Sequence, residues 1–174
     1  FSVFSLYEEK AAEQSKNYKN SNFYFVKSPE VVNCFDKAIY WIAKNLLKKA
    51  NLISYRCILR RLYVMSKFPK ILLKNDFDRL VLVTNSTLFF VLKNKKVAKK
   101  YEGKTIYYLH NEVRSLFKCE KEAASIRSLI GISEFVNNSF RKRVPTLKNE
   151  QCYVLKNGVD TVKFTARDER KIWN

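Results

Sequence analysis

Short apolar runs, each closing on polar residues, set the rhythm of the chain. The clearest lies in "FDRLVLVTNS" (77–86): Leu80 to Val83 is unbroken, which suits a strand buried on both faces of a parallel sheet. Thr84, Asn85 and Ser86 then form a turn and cap a helix over 87–101. "KTIYYLHNE" (104–112) repeats the plan, a strand ending in a polar tip. "IRSLIGISEFVNNSFRKRV" (126–144) repeats it again, with Ser133 as N-cap of the following helix, and "EQCYVLKNG" (150–158) supplies the last strand. Upstream, "FSVFSL" (1–6) alternates and "NFYFV" (22–26) is aromatic and β-rich. Both read as strands, joined by a polar connector, the second closed by Pro29. Two amphipathic helices follow. Over 36–50, Ile39, Ile42, Ala43, Leu46, Leu47 and Ala50 recur at helical spacing, with Asp36 near the start where an acid suits the helix dipole. Over 52–67 the apolar positions are Leu52, Ile58, Leu59, Leu62 and Met65, and Pro69 ends the segment.

Strands alternating with helices, with the strands apolar throughout, predict an α/β fold built on a doubly wound, mostly parallel, Rossmann-like sheet. Ligands bind such sheets at the carboxyl ends of the strands. That rule gathers Thr84–Ser86, His110–Glu112, Ser133–Glu134 and Asn157–Asp160 along one edge.

Composition sharpens this picture. The 174 residues suit one domain or a large piece of one, and 47% hydrophobic content is enough for a core. Lys and Arg number 34 against 16 acids, a net charge of +18 that draws the chain to polyanions: nucleic acid, anionic lipid or phosphorylated small molecules. The cysteines, Cys34, Cys57, Cys119 and Cys152, form no CxxC pair, and with one histidine in the chain no metal site is expected; they read as reduced core thiols in a reducing compartment. No apolar run reaches the roughly 18 residues of a spanning helix. No signal peptide is visible, and the start on Phe1 suggests that an upstream part is missing or removed.

Several residues carry candidate chemistry, each beside a plainer alternative. His110 stands at a strand tip, where catalytic groups collect; the alternative is a packing or capping histidine. Asn111 and Glu112 follow it: a carboxylate beside a cleft can orient an acceptor hydroxyl, or be an exposed loop charge. Ser133 and Glu134 open a helix whose amides favour phosphate, or merely cap it. Asn157 and Gly158 form a tight positive-φ turn that aims the chain out of the sheet, with Asp160 fixing it. Between Asp36 and Asp76 there are ten bases and no acid, interleaved with Tyr40, Trp41, Tyr55 and Tyr63. Lys44, Lys48, Arg56, Arg60, Arg61 and Lys67 suit an anionic membrane surface, each contributing about 1 kcal/mol, or form a solvated helix face. "KNKKVAKKYEGK" (93–104) adds six lysines.

"LIGISEFVNNSFRK" followed by "CYVLKNGVDTVKF" resembles the end of the amino-terminal domain of family 4 glycosyltransferases with the GT-B fold, where a strand ending in Ser and a helix precede a strand ending in Asn-Gly-Val-Asp and a nearby Phe. "KTIYYLHNE" resembles the preceding strand of that domain. The likeness covers about 77–174 well and the first 76 residues in outline. It implies a domain over 1–165, an interdomain linker starting at 166–174, and His110 meeting the donor sugar in the cleft. The Gly-rich loop and the nucleotide-gripping domain of the family have no counterpart here. The resemblance therefore implies the acceptor-side half of an enzyme, needing no cofactor beyond a nucleotide-sugar donor. Its acceptor would be a sugar or a lipid-linked glycan precursor at the cytoplasmic membrane face.

A non-enzymatic, basic nucleic-acid-binding α/β domain is the competing expectation. Against it, no clustered-glycine RNA-binding signature and no helix-turn-helix is visible. A stand-alone flavodoxin-like domain lacks its phosphate loop, since no glycine-rich turn follows any strand.

Overall fold

The computed structural model describes residues 2–5, 20, 22–46 and 57–158. Two short strands, β1 (Ser2–Ser5) and β2 (Asn22–Phe25), pair in parallel. Helices α1 (Glu30–Asn45) and α2 (Ile58–Lys74) follow. A four-stranded sheet then forms from β3 (Leu80–Val83), β4 (Thr105–Leu109), β5 (Ser128–Gly131) and β6 (Cys152–Val154), all parallel and in the order β3-β4-β5-β6. The connections carry a 3₁₀ helix (Ser86–Lys93), α3 (Lys95–Lys100), α4 (Glu120–Ala124) and α5 (Glu134–Arg141).

Consecutive strand order determines where the core sits. Every crossover steps one strand in the same direction, and right-handed crossovers then place all connecting segments on one side. The register puts Leu82, Tyr107 and Leu129 in one row, and these residues are 4%, 0% and 0% exposed. They join Val64, Met65, Phe68 and Leu72 of α2, Phe89 of the 3₁₀ helix, and Val136 and Phe140 of α5 in one cluster. Phe89, Tyr107 and Phe140 pack as an aromatic trio with centroid separations of 4.9, 5.2 and 6.2 Å. The opposite face carries Val81, Val83 and Tyr153, at 50%, 47% and 55% exposure, with Ile106, Tyr108 and Ile130 half-buried. None of these six belongs to the core cluster. Leu80–Val83 is thus buried on one face, not two, because the helices that cover its sheet share a single side.

Several boundaries differ from the sequence expectation. Pro29 does not merely close β2; its carbonyl accepts from Val32 and Asn33, so it opens α1 six residues ahead of Asp36. Asp36 sits within α1, 6% exposed, and its two carboxylate oxygens each accept a 2.8 Å bond, from the amides of Leu59 and Arg60. The acid does serve a helix N-terminus, that of α2. Pro69 lies inside α2 rather than ending it. Met65, Phe68 and Leu72 on either side are 2%, 4% and 2% exposed. Burying three such side chains, at ~1.5–3 kcal/mol each, outweighs the ~3 kcal/mol cost of an interior proline. The helix expected over 87–101 is split at Asn94, whose side chain accepts from the amides of Lys96 and Val97 and so starts α3 afresh.

The core face expected of the first helix is also rotated. Ala43 is buried and Ile39 half-buried, but Ile42 and Leu46 are 44% and 65% exposed. Of the cysteines, Cys119 is buried, Cys57 and Cys152 are half-buried and Cys34 is exposed; all four are free thiols, so only Cys119 is a core residue. Among the described residues no helix is long and apolar enough to cross a membrane. Lys48, Arg56, Asp160, Phe164, Leu47, Ala50, Leu52 and the segment 166–174 lie outside the described residues.

Candidate functional site

The carboxyl ends of β3, β4, β5 and β6 lie side by side, because all four strands run the same way. Three further backbone bonds lace all four together past the ends of β3, β5 and β6. The Thr84 amide donates to the Tyr108 carbonyl at 2.7 Å, that of Ile132 to Leu109 at 3.1 Å, and that of Leu155 to Gly131 at 2.9 Å. The ladder therefore continues one residue beyond the ends of β3, β5 and β6, up to the start of their polar tips.

At the β3 tip, Thr84 adopts φ +61°, a left-handed conformation that strains a β-branched residue. Its carbonyl accepts from the Tyr107 hydroxyl at 2.9 Å. That phenol is buried, and burial raises its pKa well above 10, so it stays a donor. Asn85 accepts from both the amide and the hydroxyl of Thr87, at 3.0 and 2.8 Å, which makes it a cap with its oxygen occupied.

The loop after β4 is held from two sides. Ser86 donates to the Ser115 carbonyl at 2.8 Å, and the Val113 amide donates to the Ser139 hydroxyl of α5 at 3.0 Å. Phe117 and Lys118 both have positive φ where this loop turns back. Within it, His110 is half-buried and packs edge-on against Tyr108, centroids 4.4 Å apart at 65°. Tyr108 belongs to the uncovered face, so the imidazole stands where that face meets the rim. Asn111 and Glu112 are exposed beside it.

At the β5 tip, Ser133 accepts from the Val136 amide at 3.3 Å and caps α5 as expected; Glu134 is exposed in the first turn. Asn157 and Gly158 are exposed and form no turn, and neither has a positive φ. The positive-φ turn expected of these two residues is thus not adopted by them, and Asp160, expected to fix it, lies outside the described residues. The rim thus brings together Asn85, His110, Asn111, Glu112, Ser133 and Glu134. The basic residues lie elsewhere. Lys44 is exposed on α1, while Arg60, Arg61 and Lys67 of α2 are half-buried, Lys67 with its ammonium 5.1 Å from the Tyr63 ring centroid.

Sequence reasoning missed the joint that supports the β5–β6 end of the rim. Asn137 is 4% exposed and donates to the Tyr153 carbonyl at 2.9 Å. It lies so close over Gly131 that a Cβ there would collide with its amide oxygen. The available signal was a glycine ending an apolar run in a chain with only 3 glycines. Arg141 was missed as well; it lies close enough to the Cys152 thiol to offset part of the upward pKa shift that burial causes there.

Chemically the rim offers one imidazole, two carboxylates and amide or hydroxyl groups already engaged in capping. That set can hold a polar, hydroxyl-rich ligand and hydrogen-bond a reacting oxygen. Among the described residues no three His, Cys, Asp or Glu side chains converge as metal ligands. No protein-family model matches the chain, and no curated protein or solved structure is significantly similar to it.

Proposed function

We propose that the chain is the acceptor-side, Rossmann-like half of a nucleotide-sugar-dependent glycosyltransferase acting at an anionic membrane surface. The observation that carries this reading is the position of His110: it directly follows β4, at the carboxyl-end rim of four parallel strands, between the tips of β3 and β5. In this reading the β1–β2 pair forms the second wing of a doubly wound sheet. Phe4 of β1 packs 5.2 Å from Phe68 and 5.8 Å from Phe77, just ahead of β3, which supports that placement. The switch point between β1 and β3 then opens beside Thr84 and Asn85. His110 hydrogen-bonds a hydroxyl of the donor sugar or its reacting centre, and Glu112 orients the acceptor hydroxyl.

The membrane part rests on α1. Val31, Phe35, Trp41, Ile42 and Leu46 are 64%, 60%, 59%, 44% and 65% exposed and share one side of the helix, with Lys37 and Lys44 exposed beside them. An apolar stripe with an aromatic pair and flanking lysines is the pattern of a helix lying in a lipid interface. Its location at the cytoplasmic face follows from the nucleotide-sugar donor.

The test joins this chain to a donor-binding domain of the GT-B type and measures transfer of radiolabelled sugar to membrane lipid extracts. Wild type transfers label and His110→Ala loses on the order of 10²-fold; equal turnover in the two would remove the histidine from the reaction. For the membrane, flotation with phosphatidylglycerol vesicles is lost in Phe35→Ser/Trp41→Ser, and flotation that ignores both the lipid charge and these changes would refute the surface.

A further inference from the structure

Adjoining the rim at Glu112, a cleft of about 760 Å³ runs along α5 and the loop after β4. Its size falls within the roughly 300–1,000 Å³ of small-molecule sites. Arg141, Lys142 and Arg143 line it at the carboxyl end of α5, and none of the three forms an ion pair among the described residues. The Arg141 Nε is buried without a hydrogen-bond partner. A buried N–H on a permanently charged group is costly to leave unmade, and Arg141 is one of the residues lining the cleft. Phe135, 69% exposed, and Asn138 sit one to two turns earlier on the same helix and also line the cleft. Among the described residues Glu112 contributes the only carboxylate of the lining, against three cations.

We propose that this cleft is a binding site for an organic phosphate ester. The phosphate takes the Arg141 guanidinium and the Lys142 and Arg143 charges. The organic part rests on Phe135, and a hydroxyl on it is within the chemistry of Asn138 and Glu112. The site shares Glu112 with the rim but does not include His110, and its binding is read without any sugar transfer. The ester is either a soluble metabolite or a lipid headgroup, and the shared phosphate chemistry serves both.

Titration calorimetry on the intact chain with phenyl phosphate tests it. Binding is saturable with one site per chain, tighter than to inorganic phosphate. It weakens about tenfold in Arg141→Gln, the effect of losing one charge-assisted hydrogen bond. The exposed pair change Lys142→Gln/Arg143→Gln, which spares the fold, weakens it by a similar factor. Lys95→Gln/Lys96→Gln removes equal charge at an exposed site outside the cleft lining and leaves affinity within twofold. Vesicle sedimentation with phosphatidylglycerol separates the two sources: sensitivity to the same two variants identifies a headgroup, and insensitivity identifies a soluble ester. Absence of saturable binding, or equal weakening by the Lys95/Lys96 pair, overturns the proposal, the latter by showing only the diffuse attraction of a +18 chain.

Discussion

The two faces of the four-stranded sheet are made of the same kinds of residue and meet opposite fates. One row, Leu82, Tyr107 and Leu129, is at most 4% exposed; the row that alternates with it, Val81, Val83 and Tyr153, is about half exposed. Hydropathy does not distinguish them, since both are apolar or aromatic. Topology does: four strands in consecutive order send their crossovers to one side. An apolar run along a parallel strand therefore reports what the sheet could bury, and the strand order decides which half of it the described helices cover.

The largest expected contrast tests that asymmetry. Phe140→Ala empties a site between Phe89 and Tyr107 and destabilises by ~3–5 kcal/mol. Val83→Ala, half exposed on the other face, costs under ~1 kcal/mol. Urea denaturation of both variants measures the difference. Comparable losses would mean that the second face is covered in the folded chain.

Next in size is the joint between β5, β6 and α5. Gly131→Ala brings a methyl against Asn137 and displaces the amide that holds Tyr153, at ~1–3 kcal/mol. Asn137→Ala removes both the obstacle and the bond. In a double-mutant cycle the second change costs less once the first is present; strict additivity would show that the two residues do not act on each other.

How much of this was legible in the chain follows the same division. Strand positions, the Ser133 cap and the sharing of one rim came from apolar runs and their polar ends, because these are local signals. The one-sided burial did not, because it depends on strand order. Nor did Pro69 within α2, where tertiary burial of Met65, Phe68 and Leu72 overrides a local breaker. Asp36 was read as an acid at the start of its own helix, whereas it lies within α1 and accepts from amides of α2 that are 23 and 24 residues away in sequence. At the rim His110 was legible from its place after "TIYYL"; Arg141 was not, since one cation among 34 carries no signal until a cleft is seen beside it.

A smaller effect concerns Tyr107, the buried-face residue that reaches the rim. Its folded pKa is raised above the ordinary 10.0 by burial, so the protonated phenol is the form that folding favours. Its contribution is complete below pH 10 and is lost as pH climbs from there toward the raised value. Tyr107→Phe costs ~1 kcal/mol at neutral pH through the lost bond to Thr84. It also lessens the decline in stability above pH 10. Urea midpoints across pH 7–11 check both; parallel curves for the two proteins would contradict the burial of the phenol.

The smallest effect is at Thr84, where the buried and uncovered faces meet the rim. A β-branched residue at φ +61° bears ~1–2 kcal/mol of left-handed strain, while glycine loses ~0.5–1 kcal/mol through a freer unfolded chain. The balance favours Thr84→Gly by ~0.5 kcal/mol, a rise of about 1–2 °C in melting temperature for a chain of this size. Thr84→Ala keeps most of the strain and gains nothing. If glycine instead lowers the melting temperature as much as alanine does, the threonine side chain stabilises the tip by more than its backbone strains it, and the β3 turn is held by side-chain packing rather than by the Tyr107 and Tyr108 hydrogen bonds alone.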